Sequence, residues 1–163
     1  MITINLNSHP DIKEDIFVQN AIDIVQKIVD SEILKQSPLS DYDFESNEIS
    51  IDIMFCDNET IHQINRDYRH KDQPTDVITF ALFADSDEDM RILSGDEIAL
   101  GEIIISVERI QSQAKENNKT FLEELYFILA HGILHLFGYT HNDEVSLEKM
   151  LELQKRLVKD VKI

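Results

Sequence analysis

The stretch "KTFLEELYFILAHGILHLFGYTH", residues 119–141, decides how the rest of the chain is read. From Phe121 to Phe137 apolar residues occupy nearly every side of a helical projection, the pattern of a helix buried all round. Thr120 with Glu123 three residues on is a capping-box start, and Gly138 is a left-handed C′ stop. Within that helix His131 and His135 stand four residues apart. Four residues advance a helix by about 6 Å and turn it by about 40°, so both rings project from one face, one turn apart. A short reversal through Tyr139 and Thr140 brings His141 back toward the same point. Three neutral imidazoles facing one site suit a single Zn²⁺ ion with a fourth position open for water.

The spacing H-x3-H-x2-G-x2-H is that of the metzincin peptidases, in which a glutamate follows the first histidine. Here that position is Gly132. Glycine inside a helix costs about 1 kcal/mol relative to alanine, so it needs a reason. Close packing against a strand is one; backbone kept clear beside the metal for a substrate is another. Under either account the carboxylate that takes the proton from attacking water in zinc peptidases is missing from this position, which weakens a protease reading.

Working outward, "MITINLN" and "ISIDIMF" alternate as strands, and "DVITFALF" and "IALGEIIISV" are two more. Apolar spacing from Ile12 to Ile28 predicts a helix over residues 10–34, opened by Pro10 and early acids. "DNETIHQINRDYR" has an Asx start and predicts a short helix; "ERIQSQAKENN" and "NDEVSLEKMLELQKRLVKDV" are two further helices. The order predicts a single α+β domain over residues 1–163: a small mixed sheet of about four strands covered by about five helices. Strand pairing does not follow from it.

The net charge is −17, from 32 acidic and 15 basic residues. That argues against general nucleic-acid affinity, and no DNA partner is expected. Acid concentrates in "DSDEDM" and "DYDFESNE", whereas "RDYRHK" is locally basic. "DSDEDM" lacks the glycine and distal glutamate of a calcium loop and is expected to be solvated. No apolar run reaches the roughly 18 residues of a membrane span, and "MITINLNSHP" has no signal-peptide pattern. The one cysteine, Cys56, excludes an internal disulfide and fits a reducing compartment. A cytoplasmic protein without membrane association is expected.

The second informative segment is "NRDYRHKDQPTDVITF", residues 65–80. Arg69 in a cationic turn near a metal suits phosphoryl chemistry, since guanidinium contacts the charge that accumulates in the transition state. A solvated helix end, where cations favour the C-terminal dipole, explains the same residues.

"HGILHLFGYTH" closely resembles the H-G-x-L-H-L-x-G-Y-D-H signature of the YbeY family, bacterial metal-dependent endoribonucleases implicated in rRNA maturation and ribosome quality control. "NRDYRHKDQPTDVITF" is similar to that family's N-x-x-Y-R-x-x-D-x-P-T-D-V-L-S-F segment, and "LGEIIIS" to its L-G-D-I-x-I-S strand. The three motifs fall in the family's order over about residues 50–141. The resemblance implies that His131, His135 and His141 bind zinc and that Arg69 serves RNA cleavage. It implies single-stranded RNA, rRNA or a ribosomal subunit as partner, with a ribosomal protein as a further one. Thr140 replaces the usual Asp, Glu102 replaces Asp, and Thr79 and Ala81 stand where Ser and Pro are common. The missing glutamate then fits phosphodiester rather than peptide chemistry. Two other functions compete: a non-catalytic ribosome-assembly factor with a structural metal, and a metalloprotease-like hydrolase with an unrecognised base.

Overall fold

The computed structural model describes residues 1–87, 91 and 97–163. Its strands are β1 (Ile2–Leu6), β2 (Glu48–Cys56), β3 (Val77–Phe80) and β4 (Glu97–Ser106). The described helices are α1 (Glu14–Val29), α2 (Glu32–Lys35), α3 (Asn58–Arg69), α4 (Val107–Glu116), α5 (Phe121–Leu136) and α6 (Glu144–Val158). One mixed sheet runs in the order β1-β2-β4-β3. The β1–β2 and β2–β4 pairs are parallel, and the edge strand β3 is antiparallel to β4.

The Ile-rich run of β4 is explained by its central place, because a strand covered on both faces reads as a continuous apolar stretch. Ile103 and Ile105 point into the main core with Ile51, Ile53 and Phe55 of β2, α1 and α5. Ile104 points the other way, joining Ile78 of β3 and Ile61 of α3 in a second cluster. Alternation along β3 has the same effect: Ile78 faces α3, while Val77, Thr79 and Ala81 line a cavity on the α5 side. α5 is buried as its composition predicts, with Leu125, Leu129, Ala130, Ile133, Leu134 and Leu136 wholly shielded.

The α+β class holds, with four strands, but the described helices number six rather than five. The helix expected over 10–34 is shorter and divided. Pro10 lies in a turn before it, and Ile16 is 49% exposed. At Ser31 the backbone extends and the side chain caps a new short helix by accepting from the Ile33 amide, so the apolar period runs on while the helix does not. The third strand ends at Phe80 rather than 83. Of "DSDEDM", residues 88–90 lie outside those described.

Gly101 marks a β-bulge, where the β2–β4 register shifts between Ser50 and Ile51, and its φ is +145°. A Cβ there would land on the carbonyl oxygen of Phe80 in β3, a backbone atom with no freedom to retreat. Gly101→Ala is expected to destabilise the protein by about 2–4 kcal/mol through strain and overpacking. Urea denaturation of the variant beside wild type measures it.

Candidate metal centre

Local chemistry builds the centre on α5. Thr120 and Glu123 close the capping box reciprocally, at 3.2 and 3.1 Å, fixing the first turn by about 1 kcal/mol. At the other end the Gly138 amide donates to the His135 carbonyl at 2.9 Å and the Tyr139 amide to the Leu134 carbonyl at 3.1 Å. That pair of bonds is a Schellman stop, and Gly138 takes the positive φ, +94°, that it needs. The turn is held from outside: Tyr139 Oη donates to the Ile33 carbonyl of α2 at 2.6 Å. Pro38 packs where a Gly138 side chain would go.

His131, His135 and His141 converge as their spacing predicts, with one ligand-capable atom from each lying within 4.8 Å of the others. His131 and His135 are half-buried and His141 is exposed. The protonated nitrogen of each helical ring can be deduced. His135 Nδ1 lies 2.8 Å from the Tyr139 carbonyl oxygen, which can only accept, so Nδ1 carries the proton. His131 Nδ1 lies 3.0 Å from Gln154 Oε1. The amide end of Gln154 is itself oriented by donation to the Phe127 carbonyl at 3.1 Å. Oε1 is therefore an acceptor, and His131 Nδ1 also carries the proton.

The two Nε2 atoms are 3.0 Å apart, a hydrogen-bonding distance, yet in neutral rings with Nδ1–H neither has a proton to share. Burial keeps the rings neutral. It is the first cause lowering His131 below the usual histidine range. His135 falls from 6.5 to about 4, by burial first and then by the nearby His131, His141 and Arg69. Two lone pairs facing each other, joined by a third imidazole, make a donor set that a cation between them would satisfy. The three-histidine group can hold a metal ion, and nitrogen donors of this kind suit a transition metal.

Gly132 does not face this centre. A Cβ there would meet the Ile103 side chain of β4 at 3.1 Å, so close packing against a strand is the account that fits. A glutamate at 132 would start toward the sheet rather than toward the metal.

The cavity beside the histidines holds about 470 Å³ and is also lined by Arg69, Asp76 and Asp85. Arg69 ends α3, where His70 takes a left-handed conformation, φ 57°, and stops the helix. The chain has five arginines. Arg66, Arg109 and Arg156 pair with carboxylates, and Arg91 donates to the carbonyls of Phe83 and Ala84. Arg69 forms no such bond among the described residues. Thr79, Ala81 and Thr140 line the cavity too, so these three departures from the family pattern sit at the site; Glu102 does not.

Sequence reasoning missed Asp76 and Gln154. Asp76 accepts from the Val77 amide at 2.8 Å, the Thr75 hydroxyl at 3.3 Å and Gln113 Nε2 at 3.1 Å. The same Gln113 nitrogen donates to the buried Glu124 at 3.0 Å, bracing the network against α5. Asp76 lay inside the quoted "PTDV", which was the available signal.

The lowered pKa of His135 has a consequence for stability. As pH falls the unfolded chain, near 6.5, takes up this proton before the folded chain, near about 4. Stability is then present in full above pH 6.5 and is lost toward about pH 4. Metal-free wild type is expected to lose more of its urea midpoint than His135→Gln between pH 7.5 and 4.5, a comparison that cancels the carboxylates both share.

Comparison with known proteins agrees with this geometry. The model of the family described as Endoribonuclease YbeY matches residues 7–162. The Endoribonuclease YbeY of Bacillus pumilus is 44% identical over 116 residues, covering 70% of this chain and 73% of that protein. The Endoribonuclease YbeY of Desulfitobacterium hafniense is 36% identical over 149 residues, covering 91% and 93%. Among solved structures, the solution structure of TM1509 from Thermotoga maritima is similar with a TM-score of 0.56 and 25% identity. That likeness covers 98% of this chain and 91% of that one. With the family model spanning nearly the whole sequence and the histidine cradle formed as the motif requires, the chain belongs to the YbeY endoribonuclease family.

Proposed function

We propose that this protein is a zinc-dependent endoribonuclease that cleaves single-stranded RNA, acting on rRNA in the cytoplasm during ribosome maturation and quality control. The observation that carries the chemistry is a guanidinium, Arg69, without a hydrogen-bond or ion-pair partner among the described residues, lining one cavity with three converging histidines, in a chain whose relatives are named endoribonucleases. His131, His135 and His141 would hold the ion. When bound, it supplies Lewis acidity toward a phosphodiester oxygen.

The remaining roles belong to this chain's side chains. Arg69 contacts the phosphoryl oxygens and balances the charge that grows on them, worth most where water is partly excluded. Two carboxylates, Asp76 and Asp85, line the cavity. Asp76 is held in place by three donors. A carboxylate has about four acceptor sites, so Asp76 keeps capacity for the proton of an attacking hydroxyl. It thereby fills the part that position 132, turned toward Ile103, leaves open. No described helix is long and apolar enough to cross a membrane.

The net charge of −17 favours a second function, assembly of ribosomal particles through a protein partner with the metal as a structural element. One experiment separates the two. Purified wild type is expected to cleave a labelled single-stranded RNA. Arg69→Ala is expected to lower the rate by about 10³-fold or more with metal content unchanged, and His135→Ala to lose both metal and activity. Equal cleavage by Arg69→Ala removes that residue from the chemistry. Absence of cleavage by wild type leaves the assembly function.

A further inference from the structure

The last helix carries a break in its own pattern. Met150, Leu153 and Leu157 of α6 are buried against the core, and the stripe they define includes position 154. Leucine would fill it; the residue is Gln154, and it is 1% exposed. Burying an amide without partners is costly, so a glutamine here needs specific acceptors and donors. It has one of each, both on α5: Phe127 O at 3.1 Å and His131 Nδ1 at 3.0 Å.

These bonds form a sequence of single choices. A carbonyl can only accept, so the Gln154 nitrogen faces Phe127; its oxygen then faces His131 and accepts from Nδ1–H; Nε2 is left bare on the side of His135 and His141. Phe127 lies one helical turn before His131, and in an α-helix its carbonyl also takes the residue-131 amide. Gln154 therefore ties the imidazole to its own helix turn, across the α5–α6 interface.

We propose that Gln154 is a positioning residue of the metal centre, one that locks the His131 ring in the Nδ1–H tautomer and aims Nε2 at the shared point. This rests on the three-histidine metal reading. Partners on the far nitrogen of a ligating histidine fix its tautomer and orientation, and their loss typically costs 10–100-fold in metal affinity. Gln154 does this with an uncharged group. A carboxylate would pull on the Nδ1 proton and make the ring a stronger donor; the amide fixes the ring and leaves the ion's Lewis acidity less damped.

The test has two readouts on the purified full chain. Long-range ¹H–¹⁵N correlation spectra of the metal-free protein report the tautomer of His131, and Co²⁺ titration followed by its visible bands reports affinity. Wild type is expected to show Nδ1–H at His131. Gln154→Met, which keeps the volume and removes both hydrogen bonds, is expected to lose that tautomer and to bind Co²⁺ about 10–100-fold more weakly. Gln154→Glu, which still accepts from Nδ1–H, is expected to recover most of the affinity. Gln154→Met with wild-type tautomer and wild-type Co²⁺ affinity overturns the proposal. So does Nε2–H at His131 in wild type, which requires no variant to fold. Wild type that develops no Co²⁺ bands overturns the metal centre itself, a failure visible before any substitution is made.

Discussion

The Nε2 atoms of His131 and His135 face each other at 3.0 Å while both far nitrogens are committed as donors, to Gln154 and to the Tyr139 carbonyl. Neutral rings so placed repel through their lone pairs, and burial discourages the proton that would relieve them. Much of the surrounding structure holds that arrangement. The capping box fixes where α5 begins, and the Schellman turn fixes where it ends and returns His141. The Tyr139–Ile33 bond and Pro38 pin the turn to the segment after α1, while Gln154 reaches across from α6. Residues from four separated parts of the chain are thus engaged in orienting two rings, more than packing alone asks of them.

The sheet enters the same construction through α5. Gly132 removes the side chain that would stand between α5 and β4, so Ile103 packs directly on the helix backbone one residue from His131. The helical cost of that glycine, about 1 kcal/mol, is set against close helix–sheet packing. Beside it, Gly101 lets β4 pass under the Phe80 carbonyl and places β3 at the edge, with Val77, Thr79 and Ala81 turned toward the histidines. The cavity is formed where an edge strand, the end of α3 and the last turns of α5 meet.

How far this could be read from the chain depended on how local each signal is. The histidine cradle was legible because its determinants are four residues apart on a helix and three past a glycine. The Asp57, Thr120 and Gly138 helix boundaries were legible for the same reason. The division after α1 was missed although its signal, Ser31, is local, because the apolar period continues through it. Sheet order was not legible, since β2 and β4 pair across two intervening described elements. Gln154 and Asp76 were passed over because each acquires its meaning from partners 23 and 37 residues away, His131 and Gln113. A polar residue inside an apolar stripe was the one sequence trace Gln154 left.

The charge of the molecule and the charge of the cavity are separate matters. At physiological salt, exposed charges more than about 8 Å apart are largely screened, so most of the −17 bears on how RNA approaches and little on what happens at the phosphodiester. At the cavity itself one guanidinium stands against two carboxylates, Asp76 and Asp85, with three histidines two of which burial keeps neutral. Carboxylates placed there oppose the approach of a phosphate. A divalent ion on the histidines would oppose that repulsion in the cavity that Arg69 also lines. The ion would then govern substrate binding as well as reactivity, letting an acidic protein engage an acidic polymer beside the histidines.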